Sequence, residues 1–195
     1  CILYVACLKV GAVCHPLPVT FNGEDLVYSM NLVESKAFIC PTFHHKTNFE
    51  DQFLSVKDEI TSLLDGAFCV HDKTVESHGT ITLNQIFETF EPLTEAPESD
   101  SDEIVLILST SGTTGRPKAV LISHNALIFS EKTFIKSLHL TREDVMFTPA
   151  PLNHATGFNH GLITPLLLGA RVVLQQEFHP EESIEIMNKE GVTWS

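Results

Sequence analysis

The stretch LSTSGTTGRPKAV, Leu108 to Val120, decides how the rest of this chain is read. It continues an uncharged apolar run, Ile104 to Leu108, with the composition of a buried strand. Six consecutive Ser, Thr or Gly residues (Ser109 to Thr114) come next, then Gly115, Arg116, Pro117 and Lys118. A buried strand that opens into small hydroxyl residues and glycines makes a loop rich in N–H and O–H donors, and Lys118 adds a fixed cation. Such a loop suits an anionic group, above all a polyphosphate. The separation of Gly112 from Lys118 is that of a Walker loop, but the chemistry differs. Pro117 has no N–H to donate, and Ala119 has no hydroxyl for Mg²⁺. The reading is a phosphate loop of another kind.

Working outward, the flanking segments alternate helix and strand. Residues 1–11 read as a helix ending at Gly11, with a short strand from Ala12 to His15 stopped by Pro16 and Pro18. Leu26, Met30 and Val33 mark a helix from Gly23 to Ser35, with Asn22 as N-cap. Lys36 to Cys40 and Gly66 to Val70 read as strands. Between them Phe49, Phe53, Val56, Ile60 and Leu63 form one stripe of a helix from Phe49 to Leu64. Thr82 to Phe90 is a short helix. In the second half, Glu103–Leu108, Glu143–Thr148 and Arg171–Gln175 read as strands, and His124–Leu138 (Ser123 as N-cap) and Pro180–Lys189 as helices. Val192 begins a further strand. Pro151 to Ala170 is turn-like at first and apolar afterwards. Alternation of this sort predicts an α/β fold with a mainly parallel sheet flanked by helices.

Residues 91–102, EPLTEAPESDSD, carry two prolines, a run of acidic residues and no large apolar residue except Leu93. They predict an exposed linker between a first half, 1–90, and a second, 103–195, that carries the phosphate loop. The chain has 195 residues and a net charge of −13 from 12 basic and 25 acidic residues. No Lys/Arg cluster exists to neutralise a nucleic-acid backbone, so nucleic acid is excluded as the main partner. Five cysteines without a C-x-x-C pair predict reduced, buried thiols and a cytoplasmic setting. The ten histidines form no zinc motif, and no metal site is assigned. The opening run is too short and too interrupted by Lys9 to span a bilayer. It also lacks the features of a signal peptide, and the ends suggest a piece of a longer protein.

Leu108–Val120 resembles the signature loop of the adenylate-forming enzymes, [ST]-[SG]-G-T-T-G-x-P-K-G, with Ala119 in place of the last glycine. Two other stretches carry the same resemblance in the same order. Ala6–Val19, ACLKVGAVCHPLPV, resembles the early L-K-x-G-x-x-x-x-P-L element, and Ala150–Phe158, APLNHATGF, the P-L-x-H-x-x-G element. The likeness therefore covers nearly the whole chain, and is greatest to bacterial short- and medium-chain fatty acyl-CoA ligases. It implies one subdomain of the acyl-CoA synthetase N-terminal domain.

It further implies that Thr110, Ser111, Gly112, Thr113, Thr114, Gly115 and Lys118 handle the ATP triphosphate. His154 would stand where nucleotide and acyl pockets meet, as the catalytic and substrate-pocket residue, with Gly157 giving the acyl chain close access. A hydrogen-bonded loop histidine is the other reading of His154; His160 and His124 read as structural. The implied partners are a small carboxylic acid, ATP and coenzyme A, with Mg²⁺. The resemblance places the ribose-binding aspartate, the Mg²⁺-associated glutamate and a catalytic lysine past Ser195, so this piece alone is expected to turn over little. The implied reaction is activation of a short- or medium-chain fatty acid to an acyl-adenylate and then acyl-CoA. The alternatives are an aryl-acid or carrier-protein-loading adenylation enzyme, or a non-catalytic nucleotide-binding module. An amino-acid substrate is disfavoured because PLNHATGF has no acidic residue to meet an ammonium group.

Overall fold

The computed structural model describes residues 1–65, 67–70, 81–110 and 115–195, with only the backbone of Cys69 and Val70. In chain order the elements are α1 (Ile2–Val10), α2 (Gly23–Leu32), β1 (Phe38–Cys40), β2 (Phe43–His44), β3 (Thr47–Asn48), α3 (Phe49–Val56), β4 (Phe68–Val70), β5 (Ile81–Thr82), α4 (Leu83–Thr89), β6 (Ile104–Thr110) and β7 (Lys118–Ser123). They continue with α5 (His124–Ser137), β8 (Val145–Thr148), α6 (Ala155–Phe158), a π-helical turn (Asn159–Ile163), α7 (Thr164–Leu168), β9 (Arg171–Leu174) and α8 (Pro180–Glu190). Two compact units result, neither of them a continuous stretch. One is residues 18–95 with 111–119; the other is residues 1–17, 96–110 and 120–195.

The unit of residues 18–95 is built on a parallel sheet in the order β1-β4-β5. Its core is aromatic. Phe53 is fully buried on α3 and stacks between Phe38 and Phe68, with centroids at 4.8 and 4.2 Å. Burying a side chain of that size contributes about 2–3 kcal/mol. The helix starts are set by side chains that accept otherwise orphaned N–H groups, each typically worth about 1 kcal/mol. Asn22 and Asp25 close a reciprocal capping box on α2, and Thr82 and Gln85 do the same on α4.

Helix α3 ends at Val56, not at Leu64 as the apolar stripe predicts. A 3₁₀ turn, Lys57–Glu59, follows. The cause is competition for the backbone. Asn31 donates to the Glu59 carbonyl at 2.8 Å and accepts from Thr61 N at 3.0 Å, while Leu64 N donates to the Lys36 carbonyl. These partners outside the helix take the groups that its last turns would have used.

In the other unit the core gathers Tyr4, Val105, Leu106, Leu108, Leu127, Phe158, Leu162 and Ile163. Parallel strands β8 and β9 pair from Val145↔Arg171 to Thr148↔Leu174. Strands β6 and β7 pair with each other. His124 N, just past β7, donates to the Glu103 carbonyl just before β6, so the two run antiparallel.

The expected mainly parallel sheet is therefore corrected to several small sheets of mixed direction, β2–β3 also being antiparallel. The reason lies in the loop itself. Residues 111–117 are too few for the crossover that parallel neighbours require. The expected strand from Ala12 to His15 is a single bridge, Cys14↔Leu106, because Pro16 and Pro18 lack the N–H groups to extend it. The strand expected from Val192 is likewise one bridge, Met146↔Trp194. The thiols are corrected too: Cys40 is buried, but Cys7 and Cys14 are half-buried and Cys1 is exposed.

Candidate functional site

The phosphate-type loop leaves the core on β6. Val105 to Leu108 are buried, Ser109 is half-buried and Thr110 is exposed, so the strand delivers its hydroxyl residues outward as it ends. Ser111, Gly112, Thr113 and Thr114 lie outside the described residues. Gly115, on the return, holds φ at +89°, a backbone conformation that side chains rarely adopt. Lys118 opens β7 and is exposed, its ammonium available to an anion.

Two contacts hold the flanks of this loop, and neither was expected from its motif. On the incoming side, Ser109 Oγ lies 3.2 Å from His15 Nε2. His15 follows Cys14, which is pinned to β6 by two backbone bonds: Cys14 N donates to the Val105 carbonyl, and Ile107 N to the Cys14 carbonyl. Burial lowers the His15 ring to about 4 from its ordinary 6.5, so it is neutral at physiological pH. Its Nδ1 is buried without a hydrogen-bond partner. On the outgoing side, the Arg116 guanidinium lies 4.8 Å from the ring centroid of Tyr28 on α2, a cation–π contact.

The second candidate segment follows β8. His154 N donates to the Pro151 carbonyl, and His154 Nδ1 accepts from Thr156 N at 3.3 Å. His154 is thus the N-cap of α6 and is itself exposed. This matches its hydrogen-bonded loop reading, and Nε2 takes no part in that bond. No hydrogen bond or ring contact joins His154 to Thr110.

Gly157 is buried, and a Cβ there would overlap the carbonyl oxygens of Ala150 and Pro151. Its missing side chain serves a close crossing of this chain's own backbone. Phe158 beside it packs edge-on against Tyr4, centroids 4.8 Å apart.

His160, in the π turn, is structural in a stronger sense than its sequence suggests. Its Nδ1 lies 3.1 Å from Glu131 Oε2 on α5, and the fully buried Glu131 also accepts from Thr164 Oγ1 at 2.6 Å. The ring stacks on Phe134 at 3.8 Å and meets Trp194 edge-on. Glu131 so ties α5 to both ends of one π turn. His124 is the first residue of α5, capped by Ser123, as expected.

His15, Tyr28 and Glu131 were not singled out from sequence. His15 lies inside a recognised element, but its partner is 94 residues away, and no local pattern announces such a pair.

The AMP-binding enzyme family matches residues 1–195. A medium-chain fatty-acid–CoA ligase of Escherichia coli (strain K12) is 36% identical over 192 residues, covering 98% of this chain and 34% of that protein. ATP-bound MatB from Rhodopseudomonas palustris shares the fold with a TM-score of 0.75 at 20% identity, over 96% of this chain and 35% of that one. So does o-succinylbenzoate CoA synthetase (MenE) from Bacillus subtilis, in complex with the acyl-adenylate intermediate OSB-AMP. There the TM-score is 0.75 at 19% identity, over 98% of this chain and 44% of that one. The chain spans about a third of the length of the E. coli ligase and of the YngI protein of Bacillus subtilis (strain 168), which is 26% identical over 96% of this chain. Among the described residues no helix is long and apolar enough to cross a membrane.

Proposed function

The chain belongs to the AMP-binding enzyme family, and from that premise we propose that the complete protein is an AMP-forming acid–thiol ligase acting on a medium-chain fatty acid. The observation that carries the reading is the pairing of β6 with β7, the strands that flank the signature stretch, with Thr110 exposed at the end of buried β6 and Lys118 exposed at the start of β7. The likeness to the E. coli ligase supports the choice of acid.

In this reading the acid's carboxylate oxygen attacks the α-phosphorus of ATP. The bond to the bridging oxygen breaks, and pyrophosphate leaves with the electron pair. The thiol of coenzyme A then attacks the acyl carbon and displaces AMP. In this reading the contribution of this chain is electrostatic: donors and a cation that meet the negative charge building on the leaving phosphates. Lys118 supplies the cation, and the hydroxyl and N–H groups from Thr110 to Thr114 supply the donors. The His15–Ser109 bond fixes the strand end from which that loop departs, and Tyr28 steadies Arg116 on its return.

His154, with Nδ1 committed to its cap, offers Nε2 toward the nucleotide–acyl junction. Gly157 lets the segment fold tightly enough to bring it there. The stretch from Ser109 to Ala119 offers hydroxyl oxygens and no carboxylate, so a charged oxygen ligand for Mg²⁺ would come from elsewhere in the protein.

The test is carboxylate-dependent ATP–pyrophosphate exchange by the complete protein, with acids from acetate to dodecanoate plus benzoate. A maximum between hexanoate and decanoate is expected. A maximum at benzoate would move the substrate to the aryl acids. No exchange with any acid by a folded protein that binds ATP would leave a binding module.

A further inference from the structure

Helix α6, the π turn and α7 make one unbroken helical run from Ala155 to Leu168, and His154 caps its start. Within it Thr164 N donates to the Asn159 carbonyl, five residues back, where an α-helix would use the His160 carbonyl. The run therefore holds one residue more at this point than an α-helix does. One residue of α-helix is about 100° of rotation and about 1.5 Å of rise. Loss of the π turn would swing α6, and His154 with it, about the axis of α7. Turns of this kind recur at functional sites.

Two neighbours hold the turn. On the side of α5 the Glu131 carboxylate is fully buried; its Oε2 accepts from Thr164 Oγ1 at 2.6 Å and lies 3.1 Å from His160 Nδ1. Phe134, three residues further along α5, stacks on the His160 ring, and Trp194 meets that ring edge-on. On the side of β8, Gly161 is buried, and a Cβ there would overlap Thr148 Cγ2. A carboxylate is a costly way to fill the place on α5. Glu131 Oε1 is buried with no hydrogen-bond partner among the described residues, and an apolar side chain of similar volume would serve the core at least as well. What the carboxylate adds is direction. Its bonds reach one residue inside the turn and one just past it, and so fix the rotation of one end of the run against the other.

We propose that Glu131 is a positioning residue for the acid-activating step: it holds the π turn, and through it the direction in which α6 presents His154. The proposal rests on the role given to His154 above. Glu131 lies in the core and reaches the reaction only through that segment.

The experiment is a double-mutant cycle, read in octanoate-dependent ATP–pyrophosphate exchange by the complete protein. His154→Ala should lower the exchange kcat at least about tenfold. Glu131→Leu should also lower it about tenfold, while KM for ATP moves less than about twofold. A residue that acts through His154 has nothing left to position once that ring is gone. The double variant should therefore lie within about twofold of His154→Ala alone. Losses that multiply are those of a merely structural glutamate and would overturn the proposal. Exchange at the unsubstituted rate by Glu131→Leu, or a loss confined to KM for ATP, would also overturn it while leaving His154 in its role. His154→Ala at the unsubstituted rate would remove that role and this proposal together, and no exchange by the unsubstituted protein would remove the proposed function itself. Circular dichroism checks that each variant folds. If Glu131→Leu does not, Thr164→Val takes one hydroxyl from the same carboxylate and goes through the same cycle, read in the same way, with a loss of about threefold expected.

Discussion

Burial keeps the His15 ring neutral, with a folded value of about 4 against an ordinary 6.5. The unfolded chain takes up a proton here as pH falls through 6.5, and the folded chain does so only near 4. Stability from this residue therefore stands in full above about pH 6.5 and is lost as pH falls towards 4. Urea midpoints at pH 7 and pH 5 should show that loss, and His15→Gln should show a smaller one. Because the ring also meets Ser109, the same substitution should raise KM for ATP in the complete protein several-fold. Lys118 acts on charge alone. Lys118→Met keeps most of the side-chain length and removes a charge-assisted contact worth about 2 kcal/mol. In steady-state assays kcat/KM for ATP should fall roughly 30-fold. An unchanged value would take Lys118 off the phosphates.

At the scale of elements, the β6–β7 pair and the helical segment 155–168 have opposite requirements. The strands β6 and β7 are held beside the signature stretch by the His15–Ser109 and Tyr28–Arg116 contacts. Tyr28→Phe keeps an aromatic face for Arg116 and should be silent, whereas Tyr28→Leu removes about 0.5–1 kcal/mol of cation–π attraction. Measured KM for ATP should then rise about two- to fivefold in the second variant only.

The 155–168 segment is packed on itself. Gly157→Ala would push a methyl group into the Ala150 and Pro151 carbonyls, and thermal denaturation should show a loss of at least about 3 kcal/mol. A neutral Gly157→Ala would mean that this glycine is kept for a ligand, as its sequence context alone suggests. Local chemistry made much of this scale legible beforehand. Asn22 and Ser123 were readable as caps, because capping needs only a side-chain oxygen three residues before an N–H. The early end of α3 was not, because it depends on Asn31, about 30 residues away in sequence. The π turn was hidden for a similar reason, since it is held by Glu131 on another helix.

At the scale of the molecule, the three motif stretches placed the chain in its family, and the family match over residues 1–195 agrees. The sheet arrangement was misjudged, because alternation of helix and strand says nothing of which strands meet. A loop too short for a crossover was the signal available, and it lay in the signature stretch itself. Large apolar side chains on the helices lie uncovered, among them Ile2 on α1 at 85% and Phe129 on α5 at 75% exposure. A two-stranded sheet is marginal unless it packs against helices or further strands.

The central claim is that the acid attacks the α-phosphorus of ATP. Octanoate labelled with oxygen-18 in its carboxylate, given to the complete protein with ATP and coenzyme A, tests it directly. Transfer of one labelled oxygen into AMP is the predicted result. Octanoyl-CoA formed without label in AMP, or with ADP and phosphate as products, would contradict it.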